Sequence, residues 1–223
     1  GCRIVLQGRE ERKNNLLELQ QTLSGESIII TGDLSNPSDI TKIFNEIENQ
    51  YRTLDFLVNN AGLQGLVPFE GLNEEEWDEV LAVNIRSPHL CTKAFRELQL
   101  KSPSRNPSIV NIASIEGSIP ALNHSHYAAS KGGLIQYSKA AALELGSLGI
   151  RVNSVSPGLI NSPGIEKSWP DGVARYSKSS PLSRLVDPLE VANSVLFLVS
   201  PYASGITGID LRVDTGMGVV QGY

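Results

Sequence analysis

Cysteine is scarce in this sequence. Two occur, Cys2 in an apolar strand-like run and Cys91 in a helical one, and their number and placement fit buried free thiols better than a disulfide framework or a thiolate metal site. Histidine is equally sparse: His89, His124 and His126 stand in no ligand-like spacing with carboxylates or cysteines, so no metal is assigned. Positive charge is short as well. A net charge of -5 and a pI near 5.3 leave no basic stripe for a phosphate backbone, and nucleic acid is not an expected partner. No apolar run reaches the ~18 residues that span a bilayer, and the opening GCRIVLQGREERKNN is too polar for a secretory signal. The expectation is a cytoplasmic protein with no membrane partner. Internal repeats, low-complexity tracts and an interdomain linker are also missing.

What is present is enough for one core. A chain of 223 residues with 40% hydrophobic content predicts a single domain over residues 1–223. Short β-rich apolar runs alternate with helical patterns along its length: RIVLQG, KNNLLELQQTL, SIIITGDL, DITKIFNEIENQY, TLDFLVNNAG, EEEWDEVLAVNIRSPHLCTKAFRELQL and SIVNIAS. A long helix from Tyr127 to about Leu148 follows, then the strand IRVNSVSPG, a polar stretch from Asn161 to about Leu185, the helix PLEVANSVLFLVS and a last strand DLRVD. Six strands joined by right-handed helical crossovers predict an α/β, doubly wound parallel sheet of Rossmann type. In that architecture ligands lie beyond the carboxyl ends of the strands.

The residues placed there carry the chemistry. Tyr127 and Lys131 stand four apart at the start of a helix and so project from one face. An ammonium beside a phenol favours phenolate, and Lys131 is expected to lower the Tyr127 pKa and make it a general acid/base. Ser114 follows the strand IVNIA, where its hydroxyl either donates to a substrate oxygen or caps a turn. After the first strand come Gly8 and Arg9 and no carboxylate. An acidic residue there receives a ribose 2′-OH and an arginine accommodates a 2′-phosphate, so NADP(H) is expected over NAD(H); the structural alternative is an Arg9 that pairs with Glu10 or Glu11 at the surface.

Asn84 in VNI, Ser114 in NIAS and Tyr127 and Lys131 in YAASK together resemble the catalytic tetrad of the short-chain dehydrogenase/reductase family. NNAG at Asn59 to Gly62, Asp33 in GDLS, the Ser156-Pro157-Gly158 strand end and GITGIDLRVDTGM resemble further motifs of that family, so the similarity covers nearly the whole chain. The resemblance, closest in kind to 3-oxoacyl-thioester reductases, implies interconversion of a carbonyl and a secondary alcohol by hydride transfer. Tyr127 would handle the proton, Ser114 would polarise the carbonyl, and Lys131 would hold the nicotinamide ribose. Asn84 would bind a relay water, or pin the bend after VLAV, or both. The implied cofactor-binding set is Arg9, Asp33, Leu34, Asn60, Ala61, Gly62, Tyr127, Lys131, Pro157, Gly158, Ile160 and Ser162.

Residues 162–182 take the place of a substrate lid, in which Trp169 and Tyr176 either wall an apolar site or pack the lid onto the body. The substrate is expected to be a small carbonyl or alcohol compound. The helices from about Glu75 to Leu100 and from Tyr127 to Leu148 are expected to pair copies of the chain into a homodimer or homotetramer. The rival reading is a truncated or non-catalytic relative that serves as a binding or assembly module. It has one motive: the first strand matches the family's second, and no Gly-x-Gly-x-x-Gly turn occurs. The reading therefore places a further βα unit of ~30 residues at the sheet centre, where its loss would leave two strand edges unpaired.

Overall fold

The structure is a computed structural model that describes residues 2–219. All six predicted strands form and all their pairings are parallel, but they lie in two sheets. Strands β1 (Ile4–Gly8) and β2 (Ser27–Thr31) pair with each other, while β3 (Phe56–Asn59), β4 (Ser108–Ile112), β5 (Arg151–Pro157) and β6 (Asp210–Val213) form the order β3-β4-β5-β6. Among the described residues the remaining edges of β1 and β3 have no strand partner. These are the two edges between which the sequence reading places a further strand.

Alternation along β4 shows how helices cover both faces of the larger sheet. Ile109 faces a cluster containing Phe95, Leu98, Ala141 and Leu145, and Val110 faces one containing Leu198 and Val199; successive side chains of a strand point to opposite faces. The first cluster also takes Ile30 of β2 and Ile40, Ile43, Phe44 and Ile47, so the two sheets share a core.

The helices start where their caps predict. In α2 (Pro37–Tyr51) the Asn36 side chain accepts from the Ser38 amide with Pro37 in the first turn. Capping boxes open α3 (Glu74–Leu81; Asn73 with Glu76) and α8 (Pro188–Val199; Asp187 with Glu190). Helix α1 covers Lys13–Thr22. The helix expected from about Glu75 to Leu100 is interrupted. Between α3 and α4 (Ser87–Lys101) the segment Ala82–Arg86 widens to a π turn, which re-aims Asn84. The long helix α5 is Ser125–Leu145, two residues earlier than predicted, and a 3-10 turn with Gly149 at φ 73° ends it. The polar stretch from Asn161 to about Leu185 holds α6 (Ile165–Ser168) and α7 (Pro170–Ser179). Cys91 is buried as expected, but Cys2 is exposed, because it precedes β1 and has no layer over it. No helix among the described residues is long and apolar enough to cross a membrane.

Candidate active site

The site begins at the carboxyl end of β4. After Ile112 the chain stays extended through Ser114, whose Oγ accepts from the Glu116 amide at 3.2 Å and caps the 3-10 turn Ile115–Gly117. That turn is pressed against α5. A Cβ on Gly117 would lie 2.8 Å from the Lys131 carbonyl carbon and 2.9 Å from the Gly132 nitrogen, so only glycine lets the two backbones approach this closely. The contact brings the Ser114 hydroxyl to the Tyr127 phenol, whose pKa it lowers, and of the two readings of Ser114 the turn cap is the one seen here.

Tyr127 and Lys131 share one face of α5 as predicted, but the expected depression of the phenol is reversed. Burial raises the Tyr127 pKa most, the Ser114 hydrogen bond lowers it and the Glu116 charge raises it; the Lys131 ammonium is not among the causes. The reason is placement. Lys131 Nζ donates to the Ile112 carbonyl at 2.8 Å and stands 5.7 Å from the centre of the Tyr127 ring. With only 3% of its surface exposed, Lys131 is itself pulled down by burial to about 8.

This shift has a measurable sign. A lysine whose folded pKa, about 8, lies below its ordinary 10.5 leaves the unfolded chain binding the extra proton, so its contribution to stability rises with pH across that interval. Cys91, pushed from 9.0 to about 12, works the opposite way from pH 9 upward. The Lys131 effect is therefore read as a difference. Between pH 8 and 10, urea unfolding should show wild-type stability gaining roughly 2–3 kcal/mol relative to Lys131→Met.

Asn84 is fully buried on the π turn. Its Nδ2 donates to the Leu63 carbonyl at 2.8 Å and to Ser130 Oγ at 2.9 Å, and its Oδ1 accepts from the Leu63 amide at 2.8 Å. It thus pins the loop after β3 onto α5, rather than the bend after VLAV that the sequence suggested. The same loop brings Gly62 in, where a Cβ would lie 3.4 Å from Lys131 Nζ. Asn59 donates to Asn111 Oδ1 at 2.7 Å, and Asn111 Nδ2 to Ser138 Oγ at 2.8 Å, so Asn59 cross-braces β3, β4 and α5.

The remaining predicted residues lie at strand ends, though not in one cluster. Arg9 pairs through Nε with Glu11 at 3.0 Å, and both side chains are more than half exposed. Asp33 Oδ1 accepts from the Ser35 amide at 2.8 Å, Leu34 packs against the main core, and Asn60 and Ala61 are exposed. Pro157 ends β5, Ile160 bridges to Val186, and Ser162 is exposed with its amide on the Ile160 carbonyl. Gly158 leaves room for the Tyr176 hydroxyl, which a Cβ would meet at 1.9 Å. That hydroxyl donates to the Asp214 carbonyl at 2.7 Å, so Tyr176 packs the lid onto the body, whereas Trp169 remains 49% exposed.

Sequence reasoning missed Ser130, the partner of Asn84, and the pair Glu116–His124, whose Oε2 and Nδ1 are 2.8 Å apart beside Tyr127. Ser130 carried a signal, standing one helical turn after Tyr127. Glu116 and His124 sit at either end of a loop, where no periodicity links them.

A family model described as "Enoyl-(Acyl carrier protein) reductase" matches residues 1–218. Among solved structures, a short-chain dehydrogenase/reductase from Brucella melitensis, titled glucose/ribitol dehydrogenase, is similar at 27% identity with a TM-score of 0.88, covering 99% of this chain and 88% of that one.

Proposed function

Because this chain belongs to the short-chain dehydrogenase/reductase family, a family of oxidoreductases that use nicotinamide dinucleotides, we propose that it is an NADP(H)-dependent enzyme interconverting a carbonyl and a secondary alcohol, with Tyr127 as general acid/base. The observation that carries this reading is the convergence of Ser114, Tyr127 and Lys131 from two elements onto one strand end.

A bound nicotinamide supplies the hydride chemistry. Residues of this chain fit the ribose next to it: of the three Lys131 hydrogens one is spent on Ile112, and Gly62 carries no side chain to block the ammonium. The sequence holds no Gly-x-Gly-x-x-Gly turn, so no role is derived for a pyrophosphate contact. Ser114 Oγ–H donates to the substrate carbonyl oxygen and orients it. Tyr127, kept protonated by burial, delivers its phenolic proton to that oxygen as negative charge develops there. Lys131 keeps a cation near the phenolate left behind, and Asn84 holds the loop that carries Gly62. A screen of NADPH oxidation over ketones, sugars and 3-oxoacyl thioesters tests the reading, and no turnover of any class overturns it.

Arg9, directly after β1 with no carboxylate between it and the strand, is assigned to the 2′-phosphate. Arg9→Asp exchanges an attractive partner for a like charge, so the Kd for NADPH should rise at least ~10-fold more than that for NADH in cofactor-fluorescence titrations. An unchanged ratio assigns Arg9 to its surface pair with Glu11 alone.

Copies of the chain pair through α4 and α5. On α5, Leu143 is 85% exposed, a large apolar side chain that a partner helix would cover. Sedimentation at micromolar concentration should show a dimer or tetramer, and a monomer alone contradicts the assignment.

A further inference from the structure

Three consecutive residues just ahead of Tyr127 each hold a buried polar atom with no hydrogen-bond partner: His124 Nε2, Ser125 Oγ and His126 Nδ1. A buried donor or acceptor left unmade is costly, and of the three it is His124 whose ring stands beside Tyr127.

Of the three, His124 is the one with a charged partner on its other ring nitrogen. It is 6% exposed, its ring centre is 5.6 Å from that of Tyr127, and its Nδ1 lies 2.8 Å from Glu116 Oε2. An ionised carboxylate only accepts, so Nδ1 carries the proton of the pair, and in the neutral ring Nε2 presents a lone pair. The backbone that carries the pair is held as well. The Glu116 amide donates to Ser114 Oγ at 3.2 Å, and the preceding residue, Asn123 (φ 64°), accepts from the Val67 amide at 2.9 Å. Glu116 and His124 are thus braced against the same two residues, Ser114 and Tyr127, that would hold the reacting oxygen.

We propose that His124 Nε2 accepts a hydrogen bond from a second hydroxyl of the substrate close to the reacting carbon, so that the preferred substrate is a hydroxyketone or the corresponding diol rather than a simple ketone. The inference rests on the assignment of Tyr127 as acid/base. Glu116 is a positioning residue that sets which His124 nitrogen is free.

The test pairs 2-hydroxycyclohexanone with cyclohexanone, which differ by that hydroxyl alone. Reduction is followed by NADPH and NADH oxidation in the full chain. The wild type should favour the hydroxyketone by at least ~10-fold in kcat/KM, the effect of one hydrogen bond that would otherwise leave a buried acceptor unpaired. His124→Phe, which removes the lone pair and keeps a ring, should bring the ratio to near unity. His124→Gln, which offers an amide oxygen, should restore part of it. Glu116→Gln, nearly isosteric, provides the test if the His124 variants do not fold: its amide can donate to Nδ1, which moves the ring proton to Nε2 and lowers the preference in the same way. Equal use of the two ketones by the wild type overturns this inference and leaves the oxidoreductase reading standing, as does a preference that survives both His124→Phe and Glu116→Gln. No turnover of either ketone with either cofactor also overturns this inference, while the oxidoreductase reading falls only if the wider screen of ketones, sugars and 3-oxoacyl thioesters shows no turnover as well.

Discussion

Tyr127→Phe should lower turnover by at least ~10²-fold while leaving cofactor affinity within a few-fold of wild type. The substitution keeps the ring that packs against His124 and lies near Lys131 Nζ, and it deletes only the group that moves the proton. Because burial raises the Tyr127 pKa, the phenol is protonated across neutral pH. Reduction by the wild type should therefore hold a plateau through neutrality and fall as pH rises past the ordinary tyrosine range near 10. Phe has no ionisation, so its residual rate should lose that limb. Steady-state reduction kinetics of both proteins over pH 6 to 10.5 make the comparison, and comparable turnover in the variant rules out Tyr127 as the acid.

Arg151→Met should cost about 1.5–3 kcal/mol of stability, read as a lower urea midpoint with an unchanged slope. Arg151 opens β5 and is 6% exposed. Its guanidinium reaches the carbonyls at the end of α8, with Nη1 at 2.7 Å from Leu198 and Nη2 at 3.4 Å from Val199 and 3.5 Å from Ser200, while Nη1 also lies 3.4 Å from the Ile206 carbonyl in the loop that follows. The terminal carbonyls of a helix have no intrahelical donor, and a cation there also meets the negative end of the helix dipole. Methionine fills a similar volume and donates nothing. Arg151→Lys should recover only part of the loss, because a point charge cannot fork between two nitrogens' worth of acceptors. A change within ~0.5 kcal/mol would mean that water serves those carbonyls as well.

How far the sequence leads depends on what holds each feature in place. The strands were legible because their apolar runs are bounded by turn residues, and the starts of α3 and α8 fell where their helical patterns begin, whereas α2 starts two residues ahead of the expected Asp39, behind an Asn36 cap that the sequence reading did not use. The spacing of Tyr127 and Lys131 gave their common face. It did not give the sign of the tyrosine shift, which depends on burial and on where the Lys131 ammonium is spent. The π turn was hidden because AVNIR suits an ordinary helix; what opens it there is a tertiary contact, the pairing of Asn84 with both backbone groups of Leu63. Helix α7 carried a readable signal in Pro170 at its first turn, outweighed by the polar residues around it. The Glu116–His124 pair joins the ends of a loop, and loop closure leaves no period in the sequence.

The seat of the Ile115–Gly117 turn on α5 has a consequence for how this protein can diversify. The separation of Ser114 from Tyr127 is set by backbone lying directly on backbone, with no side chain between them at Gly117 and Gly132. Ser114 and Tyr127 are thus held in register across the Gly117–Gly132 contact and not through residues 118–122, so that stretch can change length and composition while the two side chains stay where they are. Ile119 and Leu122, 38% and 90% exposed, sit on such an interchangeable span. Grafting loops of other sizes between Gly117 and Asn123 should alter which molecules are accepted long before it alters what is done to them.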